Sequence, residues 1–259
     1  MQSVNHYENF PVASVLCPPH LRPPIQAIYH FARTADDLAD EGDASPEARL
    51  TALQTLRQDL LRSLEEPEFT SPQWPQMLNA LRDQVRAFDL PVPLLLDLLD
   101  AFLQDVEYTR DARRYANRAE LLDYCRRSAN PVGRLLLHLY GVNDAASLQQ
   151  SDAICSALQL INFWQDLSVD LPRGRHYLPE NADLQEEMAF ARSLMLQGAP
   201  LVHRVPGRAG WELRLVVQGG LRILEKSQAI NSRLERPQIK ALDVVLMACR
   251  ACWMPQSRS

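Results

Sequence analysis

The chain has 259 residues, 46% of them hydrophobic and 23% charged, the make-up of a soluble globule with enough material for a large core. Its net charge of −5 argues against non-specific nucleic-acid binding. Gly is scarce at 9, Pro stands at 18, and neither an Asn-Gly or Asp-Gly hairpin signal nor a Gly-rich phosphate loop occurs. Strand-rich folds and phosphate-loop enzymes are therefore set aside in favour of an all-helical chain.

In chain order, residues 5–17 read as a short helix with Pro11 in its first turn, closed by Pro18 and Pro19. The stretch Met1–Phe10 has no basic region followed by an apolar core, so no signal peptide is expected. Pro24 to Glu41 reads as a long helix. After a turn at Gly42–Pro46, Ser45 caps a helix to about Leu64. Helices follow over Trp74–Phe88 and Val92–Tyr108, split by Leu90-Pro-Val-Pro93. Asn117–Tyr140 is helical by period, and Asn130-Pro131 must kink or break it. Ser147–Asp170 reads as one long helix, Leu171–Pro179 as a loop. Asp183–Gln197, Gly210–Glu235 and Pro237–Trp253 complete a single helical domain over 1–259. No run of about 18 apolar residues exists, so no span is expected. The apolar patches at Leu94–Leu103 and Val244–Trp253 are open to peripheral membrane contact, with core burial as the expected fate of both. Five cysteines, mostly inside helical patterns, read as reduced cytosolic thiols. Cys249-x-x-Cys252 lacks the second ligand pair a zinc site needs.

Two acidic stretches stand out. The first is Arg33-x-x-Asp36-Asp37-x-x-Asp40-Glu41. At about 100° per residue, Asp36 and Asp40 share a stripe with Tyr29 and Arg33. Taken alone, this is a solvated helix end. The second lies about 125 residues on, where Asn162, Asp166 and Asp170 repeat every four residues among Leu160, Ile161, Phe163 and Trp164. Burying such a stripe is costly unless it is paired. If the two helices face each other, four carboxylates line one cavity, an arrangement suited to several Mg²⁺ ions and a bridging polyphosphate. The loop that follows carries Arg173, Gly174, Arg175 and Tyr177, and guanidinium groups suit phosphate oxygens.

These two motifs, followed by Gly174-Arg-x-Tyr-Leu-Pro179, resemble those of the squalene/phytoene synthases. The segment from Tyr124-Cys125 through Ser128 to Val132-Gly133 is similar to the family's central stretch, and the likeness runs over nearly the whole chain. Glu8–Ser14, Phe31–Asp43, Asn162–Asp166 and Arg127–Arg134 resemble the hydroxysqualene synthase branch of hopanoid formation. The resemblance implies an all-α isoprenoid-synthase bundle with a central cavity. It implies Mg²⁺ held by Asp36, Asp40, Asn162, Asp166 and Asp170, with NADPH not expected. The substrate would be a prenyl or presqualene diphosphate gripped by Arg33 with Arg173 or Arg175. Tyr29, Tyr124, Phe163 and Trp164 are candidates to face a carbocation, with Ser128, Val132 and Tyr177 near the substrate. Tyr124, Ser128, Pro131 and Leu135 share one helical face, where a kink can open the cavity wall.

The sequence departs from the family twice. Tyr7-Glu8-Asn9-Phe10 stands where a Ser-x-Ser-Phe often contacts diphosphate, and Gln165 replaces the Arg before the second acidic motif. Both changes remove diphosphate contacts and argue against the full two-step condensation; the resemblance to the hydroxysqualene branch implies a restricted reaction, ionisation of presqualene diphosphate with water quenching the cation, in which Gln165 would place the water. A complete head-to-head synthase and a non-catalytic assembly protein of the same fold stay open as alternatives. The oily product implies hand-off to a membrane or partner enzyme, from a cytoplasmic or inner-membrane-peripheral protein.

Overall fold

A computed structural model describes residues 17–229 and 236–254. The described elements are α1 (Arg22–Asp40), α2 (Pro46–Glu65), α3 (Pro75–Phe88), α4 (Val92–Arg110), α5 (Arg118–Ser128), α6 (Asn130–Leu139), α7 (Ala145–Gln165), α8 (Leu167–Asp170), α9 (Leu184–Gly198), α10 (Gly207–Ala229) and α11 (Ala241–Cys252). Single 3₁₀ turns occupy Pro19–Leu21, Leu171–Arg173 and Ala199–His203. Among the described residues there is no strand. The helix predicted over 5–17 and the departure at Tyr7–Phe10 lie outside the described residues.

Helix starts follow local chemistry. Ser45 Oγ accepts the Ala48 N–H at 3.3 Å, Asn117 Oδ1 the Glu120 N–H at 3.0 Å, and Asp183 Oδ1 those of Gln185 and Glu186. Each such cap is worth about 1 kcal/mol. The long helix expected from Ser147 starts earlier, because Asp144 caps it by accepting the Ser147 N–H at 3.0 Å. Asn130-Pro131 does break its helix: α5 ends at Ser128, and α6 restarts with Pro131 in its first turn.

Two further boundaries differ from the sequence reading. The stretch 147–170 is not continuous, since Asp166 adopts φ −102° and ψ 14° and separates α7 from α8. The last helix begins at Ala241 rather than Pro237, because Arg236 and Pro237 are engaged elsewhere, as shown below. Its start is fixed by Asp243, whose carboxylate accepts from Lys240 N–H at 2.7 Å, Arg222 Nε at 2.7 Å and Lys226 Nζ at 2.6 Å. These donors hold the Asp243 carboxyl well below the usual carboxylate range.

The helices enclose two adjoining apolar cores. One gathers Phe31, Ala35, Leu53, Leu56, Leu60, Leu78, Leu81, Leu95 and Leu99 from α1–α4. The other gathers Leu121, Tyr124, Leu160, Phe163, Met188, Met195, Val217 and Leu224 from α5, α7, α9 and α10. Helix α4 contributes to both, and α6 and α7 pack together beside it. The Leu94–Leu103 patch goes largely into these cores, as expected. The C-terminal patch does not: on α11 Leu242 is 85% exposed and Val245 62%, and Trp253 just beyond it is 86% exposed. Burying α11 on its Asp243 side turns this stripe outward. All five cysteines are unpaired, and among the described residues no helix is long and apolar enough to cross a membrane.

Candidate active site

Helix α1 has two inward faces. Phe31, Ala35 and Ala39 enter the core, and Ile25, Ile28, Tyr29, Ala32, Arg33 and Asp36 line a cavity of about 520 Å³. From residue 25 to 36 that wall runs roughly 16 Å, at about 1.5 Å per residue. The opposite wall comes from Val132, Gly133, Leu136, Ser151, Ile154, Cys155 and Leu158 of α6 and α7. The lining is apolar apart from its acidic end, Ser151, and a group at Cys17, Tyr140 and Glu212. There Tyr140 donates to Cys17 Sγ at 3.9 Å, and the Tyr140 hydroxyl is raised above the ordinary phenol value, chiefly by burial.

At the acidic end Arg33, Arg175 and Arg236 each meet a carboxylate. Arg33 donates to Asp36 at 2.8 Å and pairs with Asp37 at 2.6 Å and Glu41 at 3.5 Å. Asp36 is held above the usual carboxylate range by burial, which outweighs the opposing pull of Arg33. Arg236 donates Nε and Nη2 to the two oxygens of Asp166. Asp170 is pushed up to about 6, first by burial and then by Asp166. The loop after α8 turns at Gly174, whose φ of +77° is the left-handed region glycine favours. That turn sends Arg175 back across the site, where Nη1 donates to Asp40 Oδ2 at 2.7 Å, while its backbone N–H bonds the Asp170 carbonyl at 3.1 Å. One arginine therefore spans the two acidic motifs, although 135 residues separate it from its partner. The two motifs thus come to one end of the bundle, but of the four aspartates expected to line one cavity only Asp36 is on its lining.

A fifth carboxylate, absent from the sequence reading, lies between them. Asp105 of α4 accepts from the Tyr124 hydroxyl through Oδ2 and from the Tyr177 hydroxyl through Oδ1 at 3.1 Å. Burial pushes it up to about 7, against the two phenol donors and with added repulsion from Asp36 and Asp170. Around it Tyr115, Tyr124, Phe163 and Tyr177 form an aromatic cluster; Phe163 and Tyr177 stack at 3.8 Å with their planes 8° apart.

The candidates therefore sort by position. Tyr29, Arg33, Asp36 and Val132 line the cavity. Asp40, Asp166, Asp170, Arg173 and Arg175 belong to the charged end, with Asn162 one turn ahead of Asp166 and accepting its N–H at 2.9 Å. Tyr124, Phe163 and Tyr177 are buried in the aromatic cluster rather than on the cavity lining. Ser128 carries a shielded hydroxyl with no hydrogen-bond partner. Gln165 does not reach the cavity: it is buried, and its amide donates to the Pro237 carbonyl at 2.7 Å. It latches the segment before α11, which corrects the expectation that it places a water. Arg236, the neighbour of that carbonyl, was likewise not singled out from the sequence.

The donor set at this end is made of oxygens only, the kind hard divalent cations take. Among the described residues no three His, Cys, Asp or Glu side chains converge closely enough to hold an ion as they stand. The reason is visible: Asp40 and Asp166 are turned onto Arg175 and Arg236.

A helical bundle with an apolar cavity running along its helices and opposed aspartate motifs at one end is the layout of an isoprenoid synthase. Residues 4–188 match the squalene/phytoene synthase family, and the chain belongs to that family. It is 41% identical over 179 residues to the hydroxysqualene synthase of Zymomonas mobilis, a match covering 67% of this chain and 55% of that protein. It is 33% identical over 263 residues to the hydroxysqualene synthase of Rhodopseudomonas palustris, covering 92% and 86%. Its match to a Sinorhizobium fredii hydroxysqualene synthase covers 58% of that protein, so the chain spans just over half the length of the first two of its curated relatives. The crystal structure of squalene synthase HpnC from Alicyclobacillus acidocaldarius superposes with a TM-score of 0.73 at 35% identity, covering 86% of this chain and 89% of that one.

Proposed function

We propose that this protein is a Mg²⁺-dependent isoprenoid synthase that ionises presqualene diphosphate and quenches the carbocation with water, giving hydroxysqualene and diphosphate. The observation that carries the reading is the junction of an apolar cavity of about 520 Å³ with a charged end where Arg33, Arg175 and both aspartate motifs meet. Likeness to proteins named hydroxysqualene synthase supports the choice of reaction. Departure of a multiply charged leaving group is the difficult step. Asp36, Asp40, Asn162, Asp166 and Asp170 are the residues that would hold Mg²⁺, and the ion when bound would supply neutralising charge. Arg33, Arg173 and Arg175 reach the same end and suit diphosphate oxygens. Arg33 pairs with Asp36 there, and Arg175 with Asp40. The cavity wall of Ile25, Ile28, Leu136, Ile154 and Leu158 offers a thirty-carbon chain an apolar bed and keeps bulk water from the cation. Atoms balance: the carbon–oxygen bond to diphosphate breaks, water forms the new one, and one proton leaves with the anionic products. As an oil, the product is handed to a membrane or a partner enzyme.

The test is incubation of purified protein with Mg²⁺ and either presqualene diphosphate or farnesyl diphosphate, with and without NADPH, followed by analysis of thirty-carbon products and released diphosphate. Hydroxysqualene from presqualene diphosphate alone is expected. A thirty-carbon product from farnesyl diphosphate refutes the restricted reaction, dependence on NADPH reassigns the protein to reductive squalene formation, and no diphosphate release from either substrate makes it a non-catalytic member.

A further inference from the structure

We propose that Asp105 is a positioning residue that fixes the arginine-bearing loop over the charged end of the cavity, by holding the hydroxyl of Tyr177 while it also holds that of Tyr124. The inference rests on the diphosphate reading above and deepens it. Three observations converge. First, Asp105 sits on α4 one turn beyond Phe102, which lines the cavity, and its partners are two phenols rather than a cation. A carboxylate placed in an end already rich in aspartate, without a counter-charge of its own, is costly, so its hydrogen bonds are what the arrangement secures. Second, Tyr177 follows Arg175 by two residues and Arg173 by four. Its ring is stacked on Phe163 of α7 and its hydroxyl is tied to α4. The loop is therefore pinned between two helices immediately after the arginine that spans the site. Third, before Tyr177 the loop is tied by Gly174 N–H to the Leu171 carbonyl and by Arg175 to Asp40 and the Asp170 carbonyl. Its contacts further out are peripheral: Glu180 N–H to the Tyr115 carbonyl at 3.0 Å, and Arg114 to His176 at 3.3 Å on the surface.

If Tyr177 is released, Arg175 loses the fixed origin from which it reaches the site, so diphosphate capture weakens more than turnover does. The charge effect has the opposite sign. Removing a carboxylate beside an anion site by itself tightens the anion, so weakened binding marks lost positioning and not altered field.

The experiment uses the full chain, inorganic diphosphate with Mg²⁺ as the calorimetric probe, and steady-state kinetics with presqualene diphosphate. Asp105→Ala and Tyr177→Phe are each expected to weaken diphosphate by about tenfold or more, the scale of a hydrogen bond to a charged group, and to raise KM by more than they lower kcat. The double variant is expected to be no weaker than Asp105→Ala alone, because both changes break the same link. Asp105→Asn, which keeps one acceptor, is expected to fall between wild type and Asp105→Ala. If wild type binds diphosphate while Asp105→Ala binds it equally well or more tightly, the proposal is overturned and the functional reading stands. If wild type shows neither binding nor turnover, both fall together. Should Asp105→Ala fail to fold, Tyr177→Phe decides: wild-type affinity in that variant overturns the proposal.

Discussion

Gly133 gives the cavity wall its sharpest test. It lies in α6 facing α7, and a Cβ built on it meets Cys155 Sγ at 2.5 Å and Ser151 Oγ closer still. Ordinary contact between such atoms needs about 3.5 Å or more, so each must yield by roughly 1 Å. Both Ser151 and Cys155 line the cavity. Overpacking of this kind costs about 1–3 kcal/mol, against about 1 kcal/mol that Ala gains over Gly inside a helix. The net effect of Gly133→Ala is therefore a loss of roughly 1 kcal/mol, or about 2–4 °C in Tm for a chain of this size. Changing the opposing pair to Ser151→Ala/Cys155→Ala removes both clashing atoms, while the Ser151 Cβ at 3.7 Å is in ordinary contact. In that background the helix gain remains alone, and Gly133→Ala should raise Tm by about 2–4 °C. The assay is thermal unfolding of the four proteins by calorimetry, with the sign of the Gly133→Ala effect read in each background. A decrease of the same size in both backgrounds would refute the reasoning, since it would place the cost somewhere other than the contact with α7.

Three further expectations follow from the same geometry. Asp166→Ala should lower diphosphate release from presqualene diphosphate by at least about a hundredfold, the scale on which loss of one charge-stabilising group is felt; retained turnover removes Asp166 from the proposed metal set. The carboxyl of Asp105, raised from 3.8 to about 7, favours folding when protonated. Its contribution is complete below about pH 3.8 and is lost as pH rises through about 7. The stability of Asp105→Asn relative to wild type should therefore increase between pH 4 and pH 8, by an amount on the order of 4 kcal/mol. Asp36 and Asp170 repel Asp105 and titrate more easily once its charge is gone, which adds to the same trend, so urea unfolding at the two pH values reads the charge at position 105, and a flat difference would disprove the assignment. Finally, a thiol reagent at neutral pH should label Cys249 and Cys252 quickly, since both are exposed. Cys17 and Cys125 are buried and should react only after unfolding, the Cys125 thiol being pushed up to about 12 by burial; rapid loss of all five thiols would contradict the packing.

The helices were legible because their ends are chemical: Ser45, Asn117 and Asp183 supply cap oxygens, and Pro46, Pro75 and Pro131 sit in first turns. The break at Asp166 and the late start of α11 were set by partners distant in sequence. Nothing in the period of residues 147–170 marks Asp166 as a break, because the four-residue spacing carries straight through it. Its conformation goes with a guanidinium that lies 70 residues away. The same contact explains the late start of α11: a segment whose Arg236 and Pro237 serve Asp166 and Gln165 is not free to coil.

The site divides in the same way. Asp36, Asp40, Asp166 and Asp170 could be read from spacing because a helix converts sequence intervals into a face, and Arg175 could be read because a basic loop beside carboxylates has one obvious use. Asp105 could not. On α4 it is one acid among Asp97, Asp100 and Glu107, and only the fold separates them: Asp100 pairs with Arg57 of α2, whereas Asp105 turns inward to two phenols. Gln165 shows the converse error. A residue one position from a candidate metal ligand invites a role in the chemistry, yet one step along a helix rotates a side chain by about 100°, enough to turn Gln165 onto the Pro237 carbonyl. There its amide holds the strand of chain that delivers Arg236 to Asp166. Gln165 thus acts on the site through the latch, so replacing it with Leu should disturb Asp166 only by freeing Arg236, and a second change, Arg236→Ala, should leave Gln165→Leu without further effect on diphosphate binding.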